Sequence, residues 1–303
     1  MEQRRLGDAG PTVSVVGLGC NNFGMRVDEQ ATAKVVGAAL DAGITHFDTA
    51  EMYGGGKSEE FLGRALGARR DEVTIATKFL LRPGDEPYTP GILRKRVLEG
   101  CDISLARLGT DRIDLYYQHY PGPHAPLDEL LDAFTALKEA GKVLHVASSN
   151  VSAEQIDAAA DAGIGFVATQ IEWNLLNRAV EDAVVPAARR HGMGIVPYFP
   201  LASGLLTGKY RRGEEFPEGT RLASNAYFAS VATDDNFTAV ERLQAWAEAR
   251  GHTITELAVA WLAAQDGVGT VITGATKPEQ IEANASGGAW HLTAQDLADL
   301  PQP

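Results

Sequence analysis

The chain has 303 residues, of which 45% are hydrophobic and 22% charged, the composition of a folded globular protein and not of a disordered or collagen-like one. Its formal net charge of −13 argues against general binding to nucleic acid or anionic membrane, while leaving room for a local basic pocket that takes a phosphorylated ligand. Cys20 and Cys101 lack CxxC spacing and point to a reducing compartment, Met1 to Leu6 is too polar for a signal peptide, and no apolar run approaches the ~20 residues of a membrane span, so a cytoplasmic location is expected.

The first element is a hairpin. Arg4–Leu6 and Val13–Val15 flank the turn-rich Gly7-Asp8-Ala9-Gly10-Pro11, and the pair is expected to plug one end of whatever follows. From there short β-rich runs alternate with helical stretches. The strand runs are Val15–Leu18, Ile44–Asp48, Val73–Lys78, Ile113–His119, Val143–Ser148, Phe166–Ile171, Gly194–Tyr198 and Gly269–Thr273. The helical stretches lie near Ala31–Ala42, Ser58–Leu66, Pro90–Leu108, Leu127–Ala140, Ala153–Ala162, Glu181–His191, Thr255–Ala264 and Pro278–Ala285. Eight βα units imply α/β architecture of one kind, a closed parallel (β/α)8 TIM barrel, here with an N-terminal β-hairpin and residues 1–303 in a single domain. Asp41-Ala42-Gly43, Glu139-Ala140-Gly141 and Asp161-Ala162-Gly163 each stop a helix on a glycine suited to the left-handed conformation. A long loop after strand seven, Ala202 to Thr233, contains the basic Lys209–Arg212 segment and exceeds what a plain connection needs, which marks it as functional.

Two glycine motifs invite a nucleotide-binding reading and fail it. Gly17-Leu18-Gly19 with Asp48 imitates a dinucleotide fingerprint, but Asn22 stands at the third glycine and the next helix begins only near Asp28. Gly54-Gly55-Gly56-Lys57-Ser58 ends like a P-loop, yet Glu51 occupies its first glycine, so a flexible turn with Ser58 as helix N-cap is expected. The seven histidines show no metal-ligand spacing, and no metal is expected.

More telling are Asp48, Tyr53, Lys78 and His119, each at or just beyond the end of a strand run. A tyrosine with a pKa of about 10 is a poor acid until a cation stabilises its phenolate. Lys78 supplies the cation, Asp48 holds it, and His119 offers a hydrogen bond to orient a polar substrate group. Taken singly, an Asp–Lys pair is as easily a plain ion pair, and a buried Tyr or His often serves a backbone carbonyl. Their joint placement at strand C-termini, where barrel enzymes build active sites, favours catalysis. A barrel lyase using Lys78 as a Schiff base competes, although Asp48 opposes it. Phe23, Met52, Phe79, Tyr120, Tyr227 and Phe228 are candidates to line an apolar substrate pocket, and His46, His124, His145, His191, His252 and His291 read as core or surface residues.

These motifs resemble the aldo-keto reductase family over nearly the whole chain, in its bacterial type and its potassium-channel β-subunit relatives. The resemblance rests on His46-Phe47-Asp48-Thr49-Ala50-Glu51-Met52-Tyr53-Gly54, on Thr77-Lys78 and on Asp114-Leu115-Tyr116-Tyr117-Gln118-His119. It implies a (β/α)8 barrel that reduces aldehydes or ketones, with hydride from nicotinamide C4 and a proton from Tyr53. It also implies cofactor contacts. Gly19 and Cys20 belong to that set, Ser149, Asn150 and Gln170 resemble binders of the nicotinamide amide, and Tyr198 would stack on the ring. Phe199, Pro200, Leu201, Ser203, Gly204, Leu205 and Lys209 resemble a segment folding over the pyrophosphate, with Arg221 as a clamp. Gly274, Ala275, Thr276 and Lys277 open the adenosine motif, with Gln280 and Asn284 near adenine.

Departures from the pattern matter too. Gln280 stands where many NADP-preferring relatives place an arginine, so NADP(H) is favoured over NAD(H) on the family tendency and Lys277 alone. Phe199 replaces a small residue, and Asn21-Asn22 a threonine-rich loop. The short tail after Asn284 implies an open pocket for a range of small-molecule carbonyl substrates. An accessory subunit that senses redox state through bound cofactor is the alternative the resemblance itself carries.

Overall fold

The computed structural model describes residues 1–80, 89–122 and 126–301, so His124 lies outside the described residues. Eight parallel strands form one sheet: β3 (Val16–Gly19), β4 (His46–Asp48), β5 (Thr74–Phe79), β6 (Ile113–Gln118), β7 (Val143–Ser149), β8 (Ala168–Glu172), β9 (Gly194–Tyr198) and β10 (Val271–Gly274). They follow chain order around the ring, with β10 returning to pair with β3. Between β9 and β10 the ring meets through Ile195, whose N–H donates to Gly267 O at 2.8 Å and whose carbonyl accepts from Gly269 N–H at 3.1 Å. The expected (β/α)8 barrel is therefore present, strand for strand.

Alternation along each strand divides the core. Ala76, Leu115, Tyr117, Ala147, Ala168, Val196 and Ile272 pack together inside the barrel. The intervening residues, such as Phe47, Ile75 and Ile195, join the layer beneath the helices. Preceding the barrel, β1 (Gln3–Arg5) and β2 (Thr12–Ser14) form the predicted antiparallel hairpin. Leu6 and Val13, both fully buried, join the barrel-interior cluster and close its N-terminal end. Closure demands tight backbone contact: a Cβ on Gly7 would lie 2.5 Å from Gly194 N, and φ there is +66°. Arg4 fastens the hairpin by donating to Ala263 O at 2.5 Å and Val268 O at 3.3 Å.

Helices α1 (Glu29–Asp41), α2 (Lys57–Leu66), α3 (Ile92–Leu108), α4 (Leu127–Glu139), α5 (Ala153–Asp161) and α6 (Val184–Arg190) follow the strands as expected. Asp28 caps α1 by accepting from Ala31 N–H at 2.8 Å, and Gly43, Gly141 and Gly163 take positive φ at the three predicted helix stops. Two expectations need correction. Ser58 is not an N-cap; Gly56 precedes α2 in the left-handed conformation, and the buried Ser58 hydroxyl meets Thr49 Oγ1 and Cys20 O, each at 2.8 Å. Nor is the post-β9 segment merely irregular: it holds the short α7 (Arg221–Ser224) and α8 (Ala226–Ala229) and is followed by a 15-residue helix, α9 (Asp234–Glu248). No strand precedes α9, so βα alternation gives no cue to it. The chain continues through α10 (Ile254–Ala263), α11 (Pro278–Ala289) and α12 (Ala294–Asp299). Among the described residues no helix is long and apolar enough to cross a membrane.

Candidate active site

The C-terminal rim of the barrel gathers the four ionisable residues. Asp48 ends β4, Lys78 is the penultimate residue of β5, His119 directly follows β6, and Tyr53 opens a single 3-10 turn, Tyr53–Gly56. Lys78 is fully buried, and its Nζ donates to Asp48 Oδ1 at 2.5 Å, Thr49 O at 2.8 Å and Tyr53 OH at 3.4 Å. Each of the three ammonium protons therefore has a protein acceptor. Asp48 Oδ2 accepts from Gln170 Nε2 at 2.8 Å, so both carboxylate oxygens are occupied across the barrel mouth. His119 presents its ring edge-on to Tyr53, with centroids 5.8 Å apart, and stacks on Tyr120 at 4.7 Å.

Burial alone would pull the Lys78 pKa down, but Asp48 and Tyr53 lift it above its ordinary value, so the side chain stays an ammonium. A Schiff base needs the free amine, and that lyase chemistry is disfavoured here. For Tyr53 the sign differs from the simple expectation. Lys78 does draw its pKa down, yet burial raises it by more, and the phenol stands above its usual value and protonated. Burial, with Lys78 adding to it, holds His119 down at about 3, so its imidazole is neutral at physiological pH. What results is a protonated phenol beside a fixed cation and a neutral imidazole, a set able to hand one proton to an oxygen and to hydrogen-bond that oxygen.

Asp48, Tyr53 and His119 line a cavity of about 750 Å³, with Lys78 buried behind them. Its walls include Gly19 and Gly274 on neighbouring strands, Ser149, Asn150, Gln170 and Tyr198 beyond them, and Phe199, Pro200, Leu201, Ser203, Gly204 and Lys209 after β9. Arg221, Ala275, Thr276, Lys277 and Gln280 complete the predicted part of the lining. Cys20, Leu205 and Asn284 are buried just behind it, not on its surface. Asn150 is held by three side-chain bonds: it donates to His119 O and Ser149 Oγ, both at 3.0 Å, and accepts from Tyr198 OH at 2.8 Å. Of the predicted apolar wall, Met52, Tyr120, Tyr227 and Phe228 line the cavity. Phe23 and Phe79 do not, because Phe23 sinks into the main core and Phe79 packs on Tyr116 and Phe134. Sequence reasoning missed Arg26, which lines the mouth and donates from Nη2 to Gly219 O, fastening the post-β3 loop to the post-β9 loop. No local motif marks it.

The cavity fits an anionic, nucleotide-sized ligand. Lys209, Arg221 and Lys277 line it, and among the described residues none of them forms an ion pair with an acid. The Arg221 guanidinium lies between the Phe199 and Phe228 rings, 5.3 and 5.2 Å from their centroids. Lys277 precedes α11, whose N-terminus offers further N–H donors to a phosphate. Asn284 Nδ2, buried behind that helix start, has no hydrogen-bond partner.

The fold and site thus define a class, barrel proteins whose open end sets a proton-bearing tyrosine against a basic cavity. The chain belongs to the Aldo/keto reductase family, which it matches over residues 15–302. An aldo-keto reductase of Bacillus subtilis is 36% identical over 99% of this chain and 92% of its own length. The L-glyceraldehyde 3-phosphate reductase of Escherichia coli is 33% identical over 100% of this chain and 92% of its own. A probable voltage-gated potassium channel subunit beta of Arabidopsis thaliana is 35% identical over 94% of this chain and 90% of its own. Family membership makes this an oxidoreductase of carbonyl groups that works with a nicotinamide cofactor.

Proposed function

We propose that the protein, in the cytoplasm, reduces aldehydes and ketones to alcohols with NADPH as hydride source and Tyr53 as proton donor. The observation that carries the proposal is the Tyr53–Lys78–Asp48 chain beside neutral His119, at the inner end of a cavity with uncompensated cations. A bound nicotinamide would supply hydride to the carbonyl carbon. The chain's own residues do the rest. Tyr53 releases its proton to the developing alkoxide, Lys78 stabilises the phenolate left behind, and Asp48, tethered by Gln170, keeps Lys78 in reach. His119, neutral, hydrogen-bonds the same oxygen and aligns it. Ser149, Asn150 and Gln170 would take the nicotinamide amide, Lys209 and Arg221 the pyrophosphate, and Lys277 a ribose phosphate; that all six line the cavity supports this reading, and Lys277 favours NADPH over NADH.

A second reading, cofactor-dependent redox sensing by an accessory subunit, draws on the Arabidopsis relative's name. Fluorescence titration with NADPH and NADH, followed by absorbance decay on a panel of carbonyl compounds, separates the two. Tight binding with carbonyl-dependent oxidation supports the reductase. Tight binding without turnover on any carbonyl favours the sensor, and absence of binding rejects both.

A further inference from the structure

Behind the rim, outside the cavity, sits a charge pair that the reaction does not touch, its carboxylate fully buried and its guanidinium partly exposed. Glu59 on α2 is fully buried; its Oε2 accepts from Arg107 Nη1 at 3.1 Å and its Oε1 from Thr77 Oγ1 at 2.6 Å. Arg107, the penultimate residue of α3, also donates from Nη1 to Glu51 O at 3.0 Å. Its guanidinium presses on the next turn as well: a Cβ on Gly56 would lie 2.4 Å from Arg107 Cζ. Glu51 and Gly56 bracket Tyr53. Thr77 is the residue before Lys78. Glu51 adds a further tie, because its Oε1 accepts from Leu80 N–H at 3.0 Å, two residues beyond Lys78.

The segment so held is tied from within by short-range backbone bonds, Tyr53 N–H to Ala50 O at 3.0 Å and Gly55 N–H to Met52 O at 3.2 Å. Gly54, Gly55 and Gly56 follow Tyr53 with φ of 59°, 65° and 96°, and none has a side chain to anchor it. Meanwhile the Tyr53–Lys78 hydrogen bond, at 3.4 Å, is near the limit of the interaction, and a small outward drift of the turn would break it.

We propose that Arg107 and Glu59 are positioning residues, a brace that sets the Tyr53 turn at its working distance from Lys78. The inference rests on the reading of Tyr53 as proton donor. Since neither residue lines the cavity, loss of the brace is expected to change the proton-transfer geometry and leave cofactor binding alone.

The test uses the full chain as the Glu59→Gln/Arg107→Met double variant, which removes both charges together and avoids stranding one of them. The expected result is a folded protein with an unchanged NADPH dissociation constant and kcat lower by about 100-fold, as an ångström-scale misplacement of a reacting group produces. Arg107→Lys, which keeps the charge but loses the planar fork, should recover part of that loss. In protein labelled with 13C at the tyrosine ζ carbon, the resonance that vanishes in Tyr53→Phe should move in the double variant. Parental kcat in the folded double variant overturns the proposal, and so does a lowered kcat with an unmoved Tyr53 resonance. Full turnover in Tyr53→Phe would instead reject Tyr53 as proton donor, while the resonance still decides whether the brace positions the turn.

Discussion

The two ends of the barrel solve opposite problems with the same strands. At the N-terminal end, Leu6 and Val13 fill the bore with apolar surface, and Gly7 meets Gly194 backbone to backbone. At the C-terminal end the bore holds a carboxylate, an ammonium, a phenol and an imidazole, and it opens to solvent. The backbone differs likewise. Asn150, Phe199, Ala202 and Ser203, the non-glycine residues with positive φ among those described, all follow β7 or β9 at the open end. Local strain of this kind persists only where surrounding structure over-determines it, and it concentrates at functional sites. One end is built for stability, the other gathers ionisable groups at some cost in conformational energy.

Breaking the open end should abolish turnover and leave the fold intact. Tyr53→Phe is expected to lower kcat by about 10²- to 10⁴-fold, the usual worth of a general acid, with NADPH binding and thermal midpoint near those of the parent. Undiminished kcat in that variant would remove the mechanistic half of the contrast. Breaking the closed end should do the reverse. Leu6→Ala is expected to cost about 2–5 kcal/mol in urea unfolding while kcat at 25 °C stays close to parental, and loss of activity in the still-folded variant would mean the ends are not separable.

Acid sharpens the comparison from a third direction. Burial holds His46 at about 4 and His119 at about 3, both below the ordinary 6.5. Between those values the unfolded chain binds more protons than the folded one. Stability present at neutral pH is therefore lost as pH falls from 6.5 towards 4, at about 1.4 kcal/mol per pH unit for each histidine. Urea midpoints independent of pH over that window would contradict the burial argument. The smallest effect concerns the cofactor. Lys277→Ala should weaken NADPH about tenfold more than NADH, equivalent to about 1.4 kcal/mol, and equal weakening of both would rule out a contact to the ribose phosphate.

Much of this was legible from residue order. Eight β-rich runs alternating with helices imply a closed barrel, and the strand-end positions of Asp48, Lys78 and His119 put them on one face of it. What escaped has a physical pattern. α9 follows no strand, so the alternation that revealed its neighbours is silent about it. Ser58 has the chemistry of a cap, but the space behind Cys20 and Thr49 claims its hydroxyl, and depth is not written in a dipeptide. Phe79 belongs to a helix-facing cluster because strand alternation turns it away from Lys78. The raised pKa of Tyr53 came from burial outweighing a neighbouring cation, a balance that needs three dimensions.

The joint between β9 and β10 has a bearing on how the molecule opens. Among the described residues two backbone hydrogen bonds, both made by Ile195, cross it, whereas its neighbours are joined as paired strands. The residues that follow those two strands, Phe199 to Leu201 and Ala275 to Lys277, both line the cavity. A ligand that touches both flanks would splint the barrel at the seam those two bonds close. Amide protons of Ile195 and Gly269 should then exchange with solvent far more slowly in the liganded protein, making this seam a reporter of occupancy.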